Sequence, residues 1–367
     1  MNTDLKSNIN SELKTDAIGL LKLLIQTRSF SREEENVALL MEDFLKSKGL
    51  SPRRFKNNVW IQNSHFDPKK PTILLNSHLD TVKPSSGYTR DPFMPTLDDG
   101  KLFGLGSNDA GGCLVGLLSA FRYFEARDDL QFNLIYAATA EEEISGPNGI
   151  ESLLPHFTEL GIPLPSCALV GEPTGMQMAV AEKGLLVLDC VAVGRAGHAA
   201  RDEGDNAIYK ALNDLNWFKD YRFDKVSPLL GPNKMTVTII QSGTQHNVVP
   251  RECHFTVDVR VNELYDFETV LETIRAQIKS EVKPRGFRIK STSIELDHPL
   301  VRAGAELGRT HYGSPTTSDK ALMPFPALKI GPGESPRSHT ADEFILINEI
   351  EEGIDLYIAL LSKVILS

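Results

Sequence analysis

The sequence predicts an α/β protein whose doubly wound, mostly parallel sheet is interrupted by an inserted α+β sandwich. Three observations carry this. Short apolar runs alternate with amphipathic helical segments through the first half. Near residue 181 the order changes to strand, helix, two strands and helix. From His298 onward a helix–strand–helix order returns. A chain of 367 residues exceeds one ordinary compact core and suits two domains. The expected division is an outer domain over 1–181 and 293–367 and an inserted domain over 182–292. Insertions of this kind enter at tolerant surface sites.

Along the chain, Ser31 and Glu34 have the form of a capping box. Val37, Leu39, Leu40, Met41, Phe44 and Leu45 then supply an apolar helical face that ends at Gly49. Strands are expected at 57–62 and 72–77, and a helix from Gly112 to about Arg127. Phe132 to Ala138 reads as a strand running directly into Glu141-Glu142-Glu143, and Cys167 to Val170 as a short buried strand. This βα alternation implies a largely parallel sheet with helices on both faces. In the insertion, Leu185–Val193, Met235–Gln241 and His254–Val261 read as strands, and Asn206–Lys219 and Phe267–Val282 as helices.

Composition narrows the function. Forty-nine acidic residues against thirty-nine Lys and Arg leave a net charge of −10. That argues against a nucleic-acid partner, which needs clustered cations. No apolar run approaches the ~18 residues of a membrane span. The segment Met1 to Glu12 is polar, so no signal peptide is expected. Cys113, Cys167, Cys190 and Cys253 are scattered among apolar residues without a CxxC pair, as buried thiols in a reducing cytoplasm would be.

Five segments offer hard ligands at strand ends or turns. Asn76-Ser77-His78-Leu79-Asp80-Thr81 closes an apolar strand, and strand alternation sends His78 and Asp80 the same way. The imidazole can bind a metal while Asp80 fixes its tautomer. The others are Gly106 to Gly112 around Asp109, Glu141-Glu142-Glu143, Gly171-Glu172-Pro173-Thr174 and Ser338-His339-Thr340. His78, His339, Asp109, Glu143 and Glu172 make a mixed nitrogen and oxygen set. Such a set suits zinc, cobalt or manganese rather than calcium or a thiolate site. Two ions roughly 3.5–4 Å apart need a bridging carboxylate. Asp109, flanked by glycines, is the best placed to approach closely. Of the adjacent Glu142 and Glu143, one can bind metal while the other serves as general base.

Taken singly, these segments have plainer readings. A glutamate run is usually a solvated face, and Glu172-Pro173 can simply end a strand. What argues against coincidence is five such segments in one order. Gly104-Leu105-Gly106 is not a dinucleotide loop, because position 109 is Asp where that fingerprint needs Gly. No G-x-S-x-G, H-E-x-x-H or G-x-x-x-x-G-K occurs.

The five motifs, in this order, resemble the M20 family of metallohydrolases. The similarity runs over essentially the whole chain, within the branch of acetylornithine deacetylase and succinyl-diaminopimelate desuccinylase. The resemblance implies two divalent ions per subunit, Zn2+ or Co2+. One would lie on His78 and Glu172 and the other on Glu143 and His339, with Asp109 bridging and Glu142 as base. It further implies that Gly194-Arg195-Ala196-Gly197-His198-Ala199 supplies His198 to the oxyanion, often from the partner of a dimer. Lys183, Asn247 and Arg260 resemble substrate-binding positions. The inserted domain becomes a dimerisation and lid domain. Two positions depart from the usual pattern: Ala110 stands where the family often has Lys, and Glu141 where Asp is usual. Neither is a ligand.

The expected activity is removal of an acetyl or succinyl group from the nitrogen of a small amino acid. N-acyl-ornithine or N-acyl-citrulline of arginine biosynthesis comes first, succinyl-diaminopimelate second and a di- or tripeptide third. Aminopeptidase members tend to have Asp where Glu172 stands, which favours deacylation. A binding protein that had lost its chemistry would be expected to lack a ligand or the base, yet all six positions are filled.

Overall fold

The structure is a computed structural model describing residues 3–366. Met1, Asn2 and Ser367, the extreme ends of the expected outer domain, lie outside the described residues. The chain divides into two compact units, Met1–Val180 with Ser293–Tyr312 and Ser318–Ser367, and Ala181–Thr292 with Gly313–Thr317. The five residues from Gly313 belong to a stretch that the sequence assigned to the outer domain.

In the first unit four central strands lie side by side in the order Asn133–Thr139, Thr72–His78, Cys167–Val170 and Ala327–Lys329. Each pair of neighbours is parallel. Asn58–Gln62 on one side and Met178–Glu182 on the other run antiparallel. Every residue of Thr72–His78 is buried, because both faces of the sheet are covered. Ile73 and Leu75 pack on the face that carries Leu114, Leu118 and Phe121 of the helix Gly112–Phe124. Leu74 packs on the other face with Trp60, Ile135, Leu153 and Phe157. A strand buried on both sides reads as a continuous apolar run, and each such side chain contributes about 1.5–3 kcal/mol. The doubly wound expectation therefore holds, with antiparallel strands towards the edges.

Local details differ from the sequence expectations. The helix Thr3–Gln26 was not anticipated; its buried Leu20, Leu21 and Ile25 join the main core. The helix Glu35–Ser47 forms, but Ser31 and Glu34 do not make a capping box. Ser31 Oγ donates instead to Asp80 Oδ2 at 2.6 Å. Glu34 accepts from the main-chain N–H groups of Arg32 and Glu141 and from Asn57 Nδ2. Apart from the Arg32 N–H, the partners of both groups are distant in sequence, which local spacing could not reveal.

The second unit is an antiparallel sheet in the order Lys234–Ser242, Glu252–Val261, Gly184–Val193 and Glu281–Pro284. Leu186, Leu188, Phe255 and Val257 face the helices Ala207–Asp220 and Phe267–Gln277 and share a core with Ala211, Phe218 and Ile274. The helix expected over 267–282 stops at Gln277. Ile278 turns extended (φ −108°, ψ 159°), and the Asp214 carboxylate accepts from the N–H groups of Lys279 and Ser280. Those bonds turn the chain so that Glu281–Pro284 can become an edge strand.

Candidate active site

The strand pattern explains why distant motifs meet. His78 is the last residue of its strand and lies beside Thr139, the last residue of a parallel neighbour. Glu142 and Glu143 follow that neighbour, and Glu172 follows Cys167–Val170. All four sit at the carboxyl ends of parallel strands, where α/β proteins collect their sites. Asp109 lies in the turn Ser107–Gly111, entered through Gly106 at φ 74° and containing a cis Asp109–Ala110 peptide bond. A Cβ on Gly111 would stand 2.5 Å from the Gly106 carbonyl oxygen, so the turn closes only with glycine there. His339 stands in a loop with φ 58°.

The side chains form two groups that share one carboxylate. His78 Nε2 lies 3.2 Å from Asp109 Oδ1 and 3.8 Å from Glu172 Oε1. His339 Nε2 lies 3.0 Å from Glu143 Oε2 and 3.7 Å from Asp109 Oδ2. Within each trio, His78–Asp109–Glu172 and Asp109–Glu143–His339, the donor atoms lie within 4.8 Å of one another. His78 Nδ1 faces the main-chain oxygen of Asp80 at 2.8 Å. A carbonyl only accepts, so Nδ1 carries a hydrogen, which leaves Nε2, on the side of the carboxylates, as the ring nitrogen that could ligate an ion. Asp80 thus sets the tautomer through its backbone rather than its carboxylate, whose nearer oxygen is 3.6 Å away. The carboxylate instead accepts from the N–H groups of Glu142 and Glu143, at 3.0 and 3.2 Å, and from Ser31. It anchors the turn Glu142–Ile144, which is a single helical turn.

This arrangement calls for positive charge. Burial would lower the pKa of His78, but the hydrogen bond with Asp109 and the nearby Asp80 carboxylate raise it well above the usual value. The hydrogen bond with Glu143 lifts His339 to about 9. Burial, reinforced by the charge of Glu172, pushes Glu142 well up. Carboxylates crowded around two imidazoles fit divalent cations, and the nitrogen and oxygen donors fit zinc or its neighbours.

The other residues that the sequence singled out lie in the second unit. His198 pairs with Val248 in a two-stranded ribbon, and Ala199 N–H donates to the Asn247 carbonyl, so His198 and Asn247 are close. His198 Nδ1 accepts from Ala200 N–H at 3.1 Å, which leaves the ring hydrogen on exposed Nε2. Lys183 Nζ donates to the Pro232 carbonyl. Burial lowers the pKa of Lys183, as do the neighbouring charges of Lys234 and Arg260. Arg260 is paired with Asp258 through two bonds. Sequence reasoning missed Lys234, which faces Arg260 across the ladder. It also missed Glu343, and it read Ser31 only as a helix cap.

Fold and site define a metal-dependent hydrolase of amide bonds. The profile of peptidase family M20/M25/M40 matches residues 74–363, and the chain belongs to that family. It is 26% identical over 370 residues to succinyl-diaminopimelate desuccinylase of Corynebacterium glutamicum, covering 96% of this chain and 97% of the relative. It is 29% identical over 301 residues to acetylornithine deacetylase of Proteus mirabilis, covering 76% of each. In fold it is similar to the M20 family metallo-carboxypeptidase Sso-CP2 of Sulfolobus solfataricus. That similarity has a TM-score of 0.74 at 17% identity, over 94% of this chain and 98% of the other.

Proposed function

We propose that this enzyme removes an acetyl or succinyl group from the nitrogen of a small amino acid. The observation that carries the reading is the pair of ligand groups sharing Asp109 beside Glu142. His78, Asp109 and Glu172 would hold one divalent ion, and Asp109, Glu143 and His339 a second, Zn2+ or Co2+. Bound there, the ions supply Lewis acidity towards the amide oxygen and acidify water. Glu142 takes a proton from water as the water oxygen bonds to the carbonyl carbon and the C=O π pair moves onto the carbonyl oxygen. Glu142 then returns that proton to the nitrogen as the C–N bond breaks. His198 Nε2–H is the donor assigned to the oxyanion.

N-acyl-ornithine or N-acyl-citrulline, within arginine biosynthesis, is the substrate put first. Succinyl-diaminopimelate is the second reading, favoured by the near end-to-end match to a desuccinylase. The three cations Lys183, Lys234 and Arg260, with Asp258 as one paired carboxylate, favour a substrate that carries its own carboxylate. A screen of acetyl and succinyl derivatives of ornithine, citrulline and diaminopimelate, alongside di- and tripeptides, tests the choice. Turnover of peptides alone would overturn the deacylase reading. Removing metal with a chelator should abolish activity, and Zn2+ or Co2+ should restore it.

The second unit is proposed to join two chains. Lys234–Ser242 is an edge strand with Ile239 and Ile240 exposed, which suits strand addition by a second copy. Among the described residues no helix is long and apolar enough to cross a membrane. The four buried free thiols support placement in the cytoplasm.

A further inference from the structure

We propose that Glu343 is a positioning residue for the metal centre, its carboxylate fixing the Asp109 turn to the segment that carries His339. The proposal rests on the assignment of Asp109 and His339 as ligands, and it explains how two ligands more than two hundred residues apart keep one separation.

Glu343 is buried, and three main-chain donors of the turn converge on it. Gly106 N–H donates to Oε2 at 3.1 Å, while Asn108 and Asp109 N–H both donate to Oε1 at 2.9 Å. These groups have no helical partners, and the turn is entered by a left-handed glycine. A carboxylate that accepts several main-chain N–H groups at once holds them in charge-assisted bonds. One of the three donors belongs to Asp109 itself, so the contact acts on the ligand's own backbone.

The surrounding bonds turn this contact into a clamp. Asn108 Oδ1 accepts from Glu334 N–H at 2.9 Å, and its Nδ2 donates to the Glu334 carbonyl and to Ser338 Oγ. Gly104 N–H donates to the Glu343 carbonyl, and Phe344–Leu346 pairs with Lys101–Phe103. Asp342, next to Glu343, accepts from the Thr89 and Arg90 N–H groups and from Thr89 Oγ1. The segment from 334 to 346 therefore grips the segment from 101 to 109 on both sides of His339. His78 and Glu172 are held differently, by the ends of central strands. Loss of Glu343 should therefore disturb the Asp109–Glu143–His339 group more than the His78–Asp109–Glu172 group.

The test is stepwise Co2+ binding to the metal-free protein, followed by calorimetry and visible absorption. Wild type should take up two ions per chain. Glu343→Ala should bind the first ion as wild type does and the second about 10–100-fold more weakly, the usual effect of losing an outer partner. Glu343→Gln should recover part of this loss. Its amide oxygen can accept from Asn108 and Asp109, while its NH2 group opposes the Gly106 N–H. If the alanine variant does not fold, the glutamine variant alone should show the selective second-ion loss. Two ions bound with wild-type affinities in both variants would overturn the role of Glu343. So would equal weakening of both ions with no difference between Gln and Ala, which is the mark of general loosening. A wild-type chain that binds fewer than two ions would instead sink the ligand assignment beneath the proposal.

Discussion

Glu142 and Glu143 are neighbours in sequence with different surroundings. Glu143 reaches His339, whereas the carboxyl of Glu142 is pushed up by burial and by Glu172. Glu142→Gln should therefore keep metal content and lose turnover by 10²–10⁴-fold or more, since an amide cannot take the proton. Elemental analysis beside a rate assay checks both halves, and near-normal hydrolysis would remove Glu142 as base. Asp80→Ala removes the acceptor shared by the Glu142 and Glu143 N–H groups while sparing the carbonyl that faces His78. Activity should fall about 10–100-fold with the tautomer of His78 intact. An unchanged enzyme would reduce the carboxylate to a strand-end cap.

Elements are tied by a few buried or half-buried polar contacts. Asp16, on the helix Thr3–Gln26, binds Lys48 beyond the second helix and Arg122 on the helix Gly112–Phe124. Burial raises its pKa, but hydrogen bonds from Lys48 and Arg122 outweigh that and hold it below the ordinary value. A depressed folded pKa stabilises above the unfolded pKa, and the benefit is lost as pH falls through the folded value. Asp16→Asn should therefore melt below wild type at neutral pH, and the gap should close below about pH 4. A gap that persists into acid would assign the effect to packing. In the second unit, Asp214→Ala leaves the Lys279 and Ser280 N–H groups and the Ser280 hydroxyl without their acceptor. A loss of about 1–3 kcal/mol in denaturant melts is expected.

For the whole molecule, the prediction concerns assembly. If His198 acts across a two-fold dimer, His198→Ala and Glu142→Gln chains should rescue each other when mixed. With free exchange at equal amounts, half the chains enter heterodimers with one intact site each. Activity should reach about a quarter of wild type per chain. Heterodimers confirmed by mass but inactive would confine His198 to its own chain or remove it from catalysis. A chain that sediments as a monomer would exclude the shared site.

The sequence by itself determined the α/β class, because period and apolar runs are local properties of the chain. It also determined which residues could hold a metal, because ligation restricts which side chains can serve. Order mattered as much as identity: His78 ends a strand, Glu143 and Glu172 follow strands, and parallel strands bring their ends together. Only the tertiary structure decided the partners of polar groups. Ser31 was spaced to cap a helix and instead binds Asp80, and Asp80 binds the Glu142–Glu143 turn with its carboxylate and His78 with its backbone. Glu343 belongs to an acidic pair near His339, yet it holds a turn more than two hundred residues earlier. The physical reason is common to these cases. A buried donor or acceptor must be satisfied by whichever group folding brings within about 3 Å, and sequence spacing does not encode that meeting.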